Sequence, residues 1–491
     1  MKKKLLLLLI SMAGLHPLYA QIALTMDKAL EIAAVNSPDI RTSRMNLERY
    51  KQILIAQRAS LKSQFSLNLK PIEYNKNRSF DNRLSQWYTN ENFSTAGTFR
   101  VDQPILWTDG TISLVNSFGW QNNTSEVESA TNRNKAFSND LYLMLSQPIF
   151  TYNKTKMKLK EIEMDYENAQ ISYQLRLLSV EQSITTQFYR VFMAQNNLNI
   201  AFEEYENARK SFEIIQNKVE ADLSARDELF QAELNVASAQ SAREDAVVAL
   251  ENAKDNLRQT LGMDLSEEFS VFTEIDVETL KINLDKAIES AMNSRLELRQ
   301  REIATEKLSF EMIRTKALNE FKGDVSLSIG LMGDNEKLGN VYENPTQNPR
   351  VAISFSVPIF DWGEKKARVK AQKTSELINQ LETVEEKKSI EMDVRKTYRN
   401  LENNIRQIEI ARQNVKNAQL TYDLNLERYR NGDLTGMEMN QFQTQLSNKK
   451  VLLAQAMINY KIELLNLKIQ TLYDFEANRS ILPEINQQIL K

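Results

Sequence analysis

Residues 351–363 read Val-Ala-Ile-Ser-Phe-Ser-Val-Pro-Ile-Phe-Asp-Trp-Gly. Val351, Ile353, Phe355 and Val357 alternate with Ala352, Ser354 and Ser356, the period of a strand with one apolar and one small polar face. Beyond Asp361-Trp362-Gly363 the period changes. Val394, Tyr398, Leu401, Ile405, Ile408, Val415, Tyr422, Leu426 and Tyr429 recur mostly at steps of four and three, the seam of a coiled coil. No Gly or Pro interrupts this stretch, so it predicts one helix over 361–430, about 100 Å long at 1.5 Å per residue. Upstream, Val325, Leu327, Ile329 and Leu331 alternate with Ser326, Ser328 and Gly330, and a polar, Asn- and Gly-containing loop at 332–350 joins the two strands. A half-buried soluble sheet shares this alternation. The loop and the N-terminus favour a membrane strand with lipid on one side and water on the other.

The same grammar occurs twice. Leu24-Thr-Met-Asp-Lys-Ala-Leu30 parallels Ile282-Asn-Leu-Asp-Lys-Ala-Ile288 at an offset of 258. Gln147-Pro-Ile-Phe150 parallels Val357-Pro-Ile-Phe360 at 210, and Ala221-Asp-Leu-Ser-Ala-Arg-Asp227 parallels Gly432-Asp-Leu-Thr-Gly-Met-Glu438 at 211. Gln259-Thr-Leu261 parallels Gln470-Thr-Leu472, again at 211. The first repeat, 21–262, divides into a helix 25–62, a strand region 63–150, a long helix 153–219 and a return helix 222–262. The long helix has its seam at Ile162, Tyr166, Ala169, Tyr173, Leu177, Val180, Ile184, Phe188 and Val191. A linker, 263–282, leads to the second repeat, 283–475. That repeat comprises a helix 283–320, strands 324–357, a long helix 361–430 and a return helix 433–473, followed by a tail, 476–491. The fall in offset places about 48 extra residues in the first strand region. Its candidate strands are Phe65–Lys70, Thr98–Gln103, Thr111–Trp120 and Leu141–Ser146. The extra residues read as an added hairpin turning at Trp107-Thr-Asp-Gly110, either spanning the membrane or standing outside it.

Lys2 to Lys4, the apolar run from Leu5 and the small-residue site Ala20 before Gln21 have the order of a secretory signal, residues 1–20. The run is too short to cross about 30 Å of hydrocarbon. Of the 491 residues none is Cys, and the one His is His16, inside that signal. Thiolate zinc sites and His-dependent hydrolysis are therefore excluded from the mature chain. Lys and Arg total 62 against 65 Asp and Glu, a net charge of −3, which gives no basic footprint for nucleic acid. With 12 Gly the chain lacks the turns of a nucleotide fold. No cofactor is expected. Four or six strands cannot close a membrane barrel, which starts at eight, so the chain must share its barrel with other copies.

This layout resembles the TolC family of outer membrane factors. The likeness rests on the signal, the duplication, the strand endings Gln147-Pro-Ile-Phe150 and Val357-Pro-Ile-Phe-Asp-Trp-Gly363, and the reversal Tyr429-Arg-Asn-Gly-Asp-Leu-Thr435. It implies a mainly α fold with membrane β: a long coiled-coil α-helical barrel and a β-barrel shared between subunits. It further implies a homotrimer in the outer membrane lipid, reaching through the periplasm. Its partners would be a periplasmic adaptor and an inner-membrane pump of RND or ABC type. The function implied is a passive exit duct for tripartite efflux or type I secretion. In the family a Tyr and an Arg at one reversal and an Asp after the other close the tunnel tip. Tyr429 and Asp227 match the Tyr and the Asp, whereas Leu434 occupies the Arg position, leaving Arg430 as a replacement. Glu438 matches the first of two acids lining the tunnel entrance, and Gln441 stands at the second. Glu438 also reads as an ordinary acid at a helix start. Two other classes remain open on the residues alone: a periplasmic coiled-coil or adaptor protein without a pore, and a secreted enzyme. The latter is disfavoured because no catalytic constellation is present.

Overall fold

The computed structural model describes residues 22–82, 85–127, 130–222, 225–273, 277–431 and 433–482. The signal and its Ala20–Gln21 cleavage site lie outside them. Contacts divide the chain into two units. One comprises residues 1–46, 170–299 and 384–491, and the other 47–169 and 300–383.

The first repeat begins with β1 (Ile22–Leu24), α1 (Met26–Asn36) and α2 (Pro38–Ser60). Four long strands follow: β2 (Gln64–Asp81), β3 (Gln86–Ile105), β4 (Gly110–Val127) and β5 (Ala130–Ile149). Then come α3 (Lys154–Glu220), of 67 residues, and α4 (Arg226–Leu261), of 36. After β6 (Phe269–Val271) the second repeat runs α5 (Leu284–Ser294), α6 (Leu296–Lys316), β7 (Lys322–Asn335), β8 (Thr346–Gln347) and β9 (Arg350–Ser356). Its long helix α7 (Glu364–Arg430) and return helix α8 (Gly436–Thr471) again have 67 and 36 residues. The short strands β10 (Tyr473–Asp474) and β11 (Arg479–Ser480) close it.

Two expectations need correction. The helices expected over 25–62 and 283–320 are each two helices. In the first, Ser37 turns extended (ψ 124°) ahead of Pro38, since proline's ring disfavours a helical residue before it. In the second, Arg295 makes the same break (ψ 123°) with no proline, so packing shared by the repeats imposes it. Gly262 shows that packing: at φ 73° it caps α4, and a Cβ there would lie 2.3 Å from the Asn36 carbonyl oxygen. Only glycine admits both the left-handed turn and the approach.

The second correction concerns the added hairpin. The offset of 210 aligns Pro148 with Pro358, so β4 and β5 correspond to β7 and β9. The addition is therefore β2–β3, and residues 106–109 are the loop joining it to β4. These six strands lie in the order β2-β3-β4-β5-β7-β9 in one antiparallel sheet, whose seventh strand, the two-residue β8, pairs with β7 at Leu331 and Met332 beyond the end of β9. Pro71, which cannot donate to a ladder, sits where the β2 register slips between Lys70 and Glu73. β2 is an edge strand, the place where such a residue is tolerated.

In the helical unit, Ile390, Val394, Leu401 and Ile408 of α7 are buried against Ala456, Tyr460 and Leu467 of α8. Tyr460 also accepts a hydrogen bond from the Leu280 N–H at 2.9 Å. A polar chain crosses three helices. Gln182 of α3 donates to Asn466 (2.6 Å), while Asn466 (3.3 Å) and Asn400 of α7 (3.1 Å) both donate to Glu463. Polar links of this kind fix register in an otherwise apolar seam.

At the foot of the sheet the added hairpin is bonded to the helices. Gln103 donates to the Leu61 carbonyl at the end of α2 (3.0 Å) and accepts from Ser63. Asn153 donates to the Leu106 carbonyl (2.7 Å), and the Asp109 carboxylate accepts from the Thr155 N–H in the first turn of α3 (2.9 Å). Asn153 caps the same turn through the Lys156 N–H (2.7 Å). The loop thus supplies one of the acceptors that a helix start lacks. Asp109→Ala should cost about 1 kcal/mol of local stability. Hydrogen exchange of the 154–158 amides should accelerate while the 364–368 amides, capped by their own Asp361, stay unchanged; equal protection in both proteins would remove this role.

Candidate functional site: lipid-facing band and helix reversals

Register places the strand residues on two faces. On one face lie Phe65 and Leu67, Phe99 and Val101, Ile112 and Leu114, and then Leu141, Leu143 and Leu145. The band continues through Val325, Leu327, Ile329 and Leu331 to Val351, Ile353 and Phe355. Most of these side chains are exposed, Ile353 at 58% and Ile329 at 66%. An apolar band six strands wide has no reason to face water. The opposite face carries Ser66, Asn68, Thr98, Ser117, Ser326, Ser328 and Ser354. Arg100 on that face donates to Asp102 (2.8 Å) and to Ser113 (3.2 Å), so its charge is paired.

Aromatic residues mark both margins of the band. Phe118 stacks on Phe137 with centroids 6.3 Å apart, and Phe93 meets Trp120 edge-on at 6.0 Å. At the other margin Phe321 contacts Phe150 (5.3 Å) and Phe355 (5.4 Å). Along β5 the margins are twelve residues apart, from Ile149 to Phe137. At about 3.3 Å per residue and a tilt of about 40°, this gives about 30 Å of height, close to the apolar band of a membrane barrel. Among the described residues no helix is long and apolar enough to cross a membrane.

The helix reversals belong to the other unit. α3 ends with Asp222 in a left-handed conformation (φ 51°), its N–H bonded to the Val219 carbonyl at 3.1 Å. Asp227 follows in the exposed first turn of α4. α7 ends at Arg430, and Asp433 N–H turns back to the Arg428 carbonyl at 2.9 Å. Tyr429 is half-buried over the start of α8; a Cβ on Gly436 would lie 3.8 Å from its hydroxyl and 3.2 Å from Ser211 Oγ of α3. Among the described residues no hydrogen bond joins Tyr429 to Asp227.

Glu438 has a defined position. Its Oε2 accepts from the Thr435 N–H (2.9 Å) and the Thr435 hydroxyl (2.8 Å), while its own N–H donates to Thr435 Oγ1 (3.3 Å). This is a capping box. The bonds from the Thr435 backbone and hydroxyl hold the carboxyl below the usual glutamate range, with Arg428 adding to the effect. The motif is legible in the sequence as Thr435-x-x-Glu438. The role of Asp109 was not legible, because the N–H it accepts from belongs to Thr155, 46 residues later.

Comparison with known proteins agrees with this geometry. The model of the family described as outer membrane efflux protein matches residues 111–263 and 321–469, one segment in each repeat. This chain belongs to the outer membrane efflux protein family. As a member it is an exit duct of efflux systems, lying in the outer membrane and extending into the periplasm. The first matched segment starts in β4, which leaves the β2–β3 hairpin outside it. Outer membrane protein TolC of Escherichia coli (strain K12) is 25% identical over 342 residues, covering 66% of this chain and 68% of that protein. The Campylobacter jejuni CmeC outer membrane channel has a similar fold (TM-score 0.70, 15% identity, 95% of this chain and 88% of that one). So does the Neisseria gonorrhoeae MtrE outer membrane channel, solved in its open state (TM-score 0.61, 15% identity, 92% and 89%).

Ile353→Arg would place a cation in hydrocarbon at a cost of about 2–4 kcal/mol near the midplane. It should sharply reduce the amount of protein recovered in outer membranes, whereas Ser354→Arg, on the polar face, should be recovered nearly as wild type. Equal recovery would contradict the assignment of faces.

Proposed function

We propose that three copies of this chain close one barrel of about eighteen strands and conduct substrates delivered by an inner-membrane pump through a periplasmic adaptor. The observation that carries this reading is the six-stranded sheet with an apolar face and two unpaired edges, β2 and β9. An open edge in lipid leaves N–H and C=O groups unsatisfied, at several kcal/mol each. Pairing β2 of one copy with β9 of the next removes every edge. Barrels of 16–18 strands enclose an aqueous channel, and the polar face would line it. Conduction through it would be passive.

The reversals would then meet around the threefold axis. Tyr429, Asp227 and Arg430 belong to helix ends that would gather there, and we assign closure to them. In planar bilayers Tyr429→Phe combined with Asp227→Ala should raise single-channel conductance. Unchanged conductance would assign closure to other residues.

Glu438, while capping its helix, would also present three carboxylates to the entrance and attract cations. Its lowered pKa means that the charge, and the cap, are present above the ordinary value of about 4.3 and are lost only as pH falls through the lower folded value. Cation selectivity, read as a reversal potential under a salt gradient, should weaken in Glu438→Gln at pH 7. In wild type it should persist as pH drops to about 4.3. Identical reversal potentials would leave Glu438 with the capping role alone.

A further inference from the structure

Above the aromatic margin, the strands β2 to β5 continue without β7, whose pairing to β5 stops at Phe137↔Asn335. Pairing continues through Arg133↔Thr124, Thr124↔Glu91 and Glu91↔Lys76 to Arg78↔Thr89. Since α2 and α3 join the sheet at its other end, this extension lies on the exterior side of the membrane. Both of its faces are reachable by solvent, yet charge sits almost wholly on one.

The face continuous with the lipid-facing band carries Lys76, Arg78, Arg133 and Lys135, with Glu91 and Glu126 as its acids. The opposite face, up to the row of Ser79, is asparagine, serine, glutamine and other uncharged residues. Its charges among the described residues are Lys70 and Glu73, on either side of the register slip and paired with each other at 3.3 Å. Charges kept for solubility alone would occupy both faces. Lys76 is 3.7 Å from Glu91. Arg133 and Lys135 are exposed and take part in no ion pair among the described residues. The Arg78 guanidinium lies over the Trp87 ring, 5.0 Å from its centroid, on the same face.

Height fixes the occupant. Lys135 and Arg133 are two and four residues beyond Phe137, about 5–10 Å above the aromatic margin on a tilted strand. That is headgroup level, and long cationic side chains reach across it. We propose that this outward belt binds the phosphate groups of lipids in the exterior leaflet, so that the added hairpin anchors the barrel to phosphorylated headgroups and leaves the mouth of the duct uncharged. The proposal rests on the outer-membrane placement of the family. A guanidinium matches a phosphate bidentately, and the Arg133–Lys135 pair on one strand face offers two cations to one headgroup.

The test uses the full chain in phosphatidylethanolamine nanodiscs doped with diphosphoryl lipid A, with retained lipid A quantified by mass spectrometry after repurification. Wild type should retain it, and retention should fall with salt, because the belt is solvent-exposed. Arg78→Gln/Arg133→Gln/Lys135→Gln should lose retention at about fivefold per cation removed, and Glu126→Gln should increase it. Lipid A stripped of its phosphates should not be retained. Equal retention by the triple variant, or of the dephosphorylated lipid, would overturn the proposal. If the triple variant fails to assemble, Lys135→Gln alone should show about a fivefold loss, and no loss would be equally damaging. Single-channel conductance in phosphatidylcholine bilayers separates the two readings. It should be equal in wild type and the triple variant, and absence of channels in both would strike the duct, not the belt.

Discussion

Hydrocarbon offers no hydrogen-bond partner to a peptide group, and that constraint governs the rest of this molecule. A strand can enter the bilayer only if both of its edges are paired. Here β3, β4, β5 and β7 have neighbours on both sides, while β2 and β9 each have one. On the proposed reading the unsatisfied edges drive assembly, and the apolar band supplies the second reason, since its exposed Ile, Leu, Val and Phe side chains gain nothing in water. Function follows from the same requirement: a sheet that must close on copies of itself encloses a path, and its inner face is polar because the period of a strand leaves it so.

Duplication explains how the helices meet that sheet. Each repeat sends a 67-residue helix away from the strands and returns through one of 36. In the first repeat the break in the pair α1–α2 falls where the end of the return helix meets it, as Gly262 against Asn36 shows. The two repeats solve the sheet–helix junction differently. α7 is capped by Asp361, four residues before Lys365, through the Gly363 and Lys365 N–H groups. α3 is capped in part by Asp109 from the loop of the added hairpin. The hairpin is thus part of the joint between barrel and helices.

Much of this was legible in the residues. Seam positions such as Val394, Leu401 and Ile408 are buried where the heptad spacing put them, and the alternation around Ile353 and Ser354 marks the faces. Cooperative, periodic features read well because many residues repeat one message. What did not read well depended on single contacts between distant segments. The break at Arg295 has no local signal, because tertiary packing and not propensity ends α5. The position of the insertion is not legible locally, since Trp107-Thr-Asp-Gly110 is a real turn between β3 and β4 and nothing beside it says on which side the added pair lies. Strands β2 and β3 run to 18 and 20 residues, beyond Phe65–Lys70 and Thr98–Gln103, and the added length is not legible because its mostly polar residues lack the regular apolar alternation that reveals strands. At the reversals, likeness points to Tyr429, Asp227 and Glu438, whereas the bonding of Glu438 to Thr435 comes from geometry.

The claim on which the account turns is that six strands per chain, the added pair included, form the wall of one barrel shared by three copies. Electron cryomicroscopy of the detergent-solubilised full chain tests it directly. The account predicts a threefold particle whose membrane section shows eighteen strands, with β2 of each copy beside β9 of the next. A threefold particle with a twelve-stranded wall and β2–β3 folded away from it, or a monomer with both edges open, would contradict it.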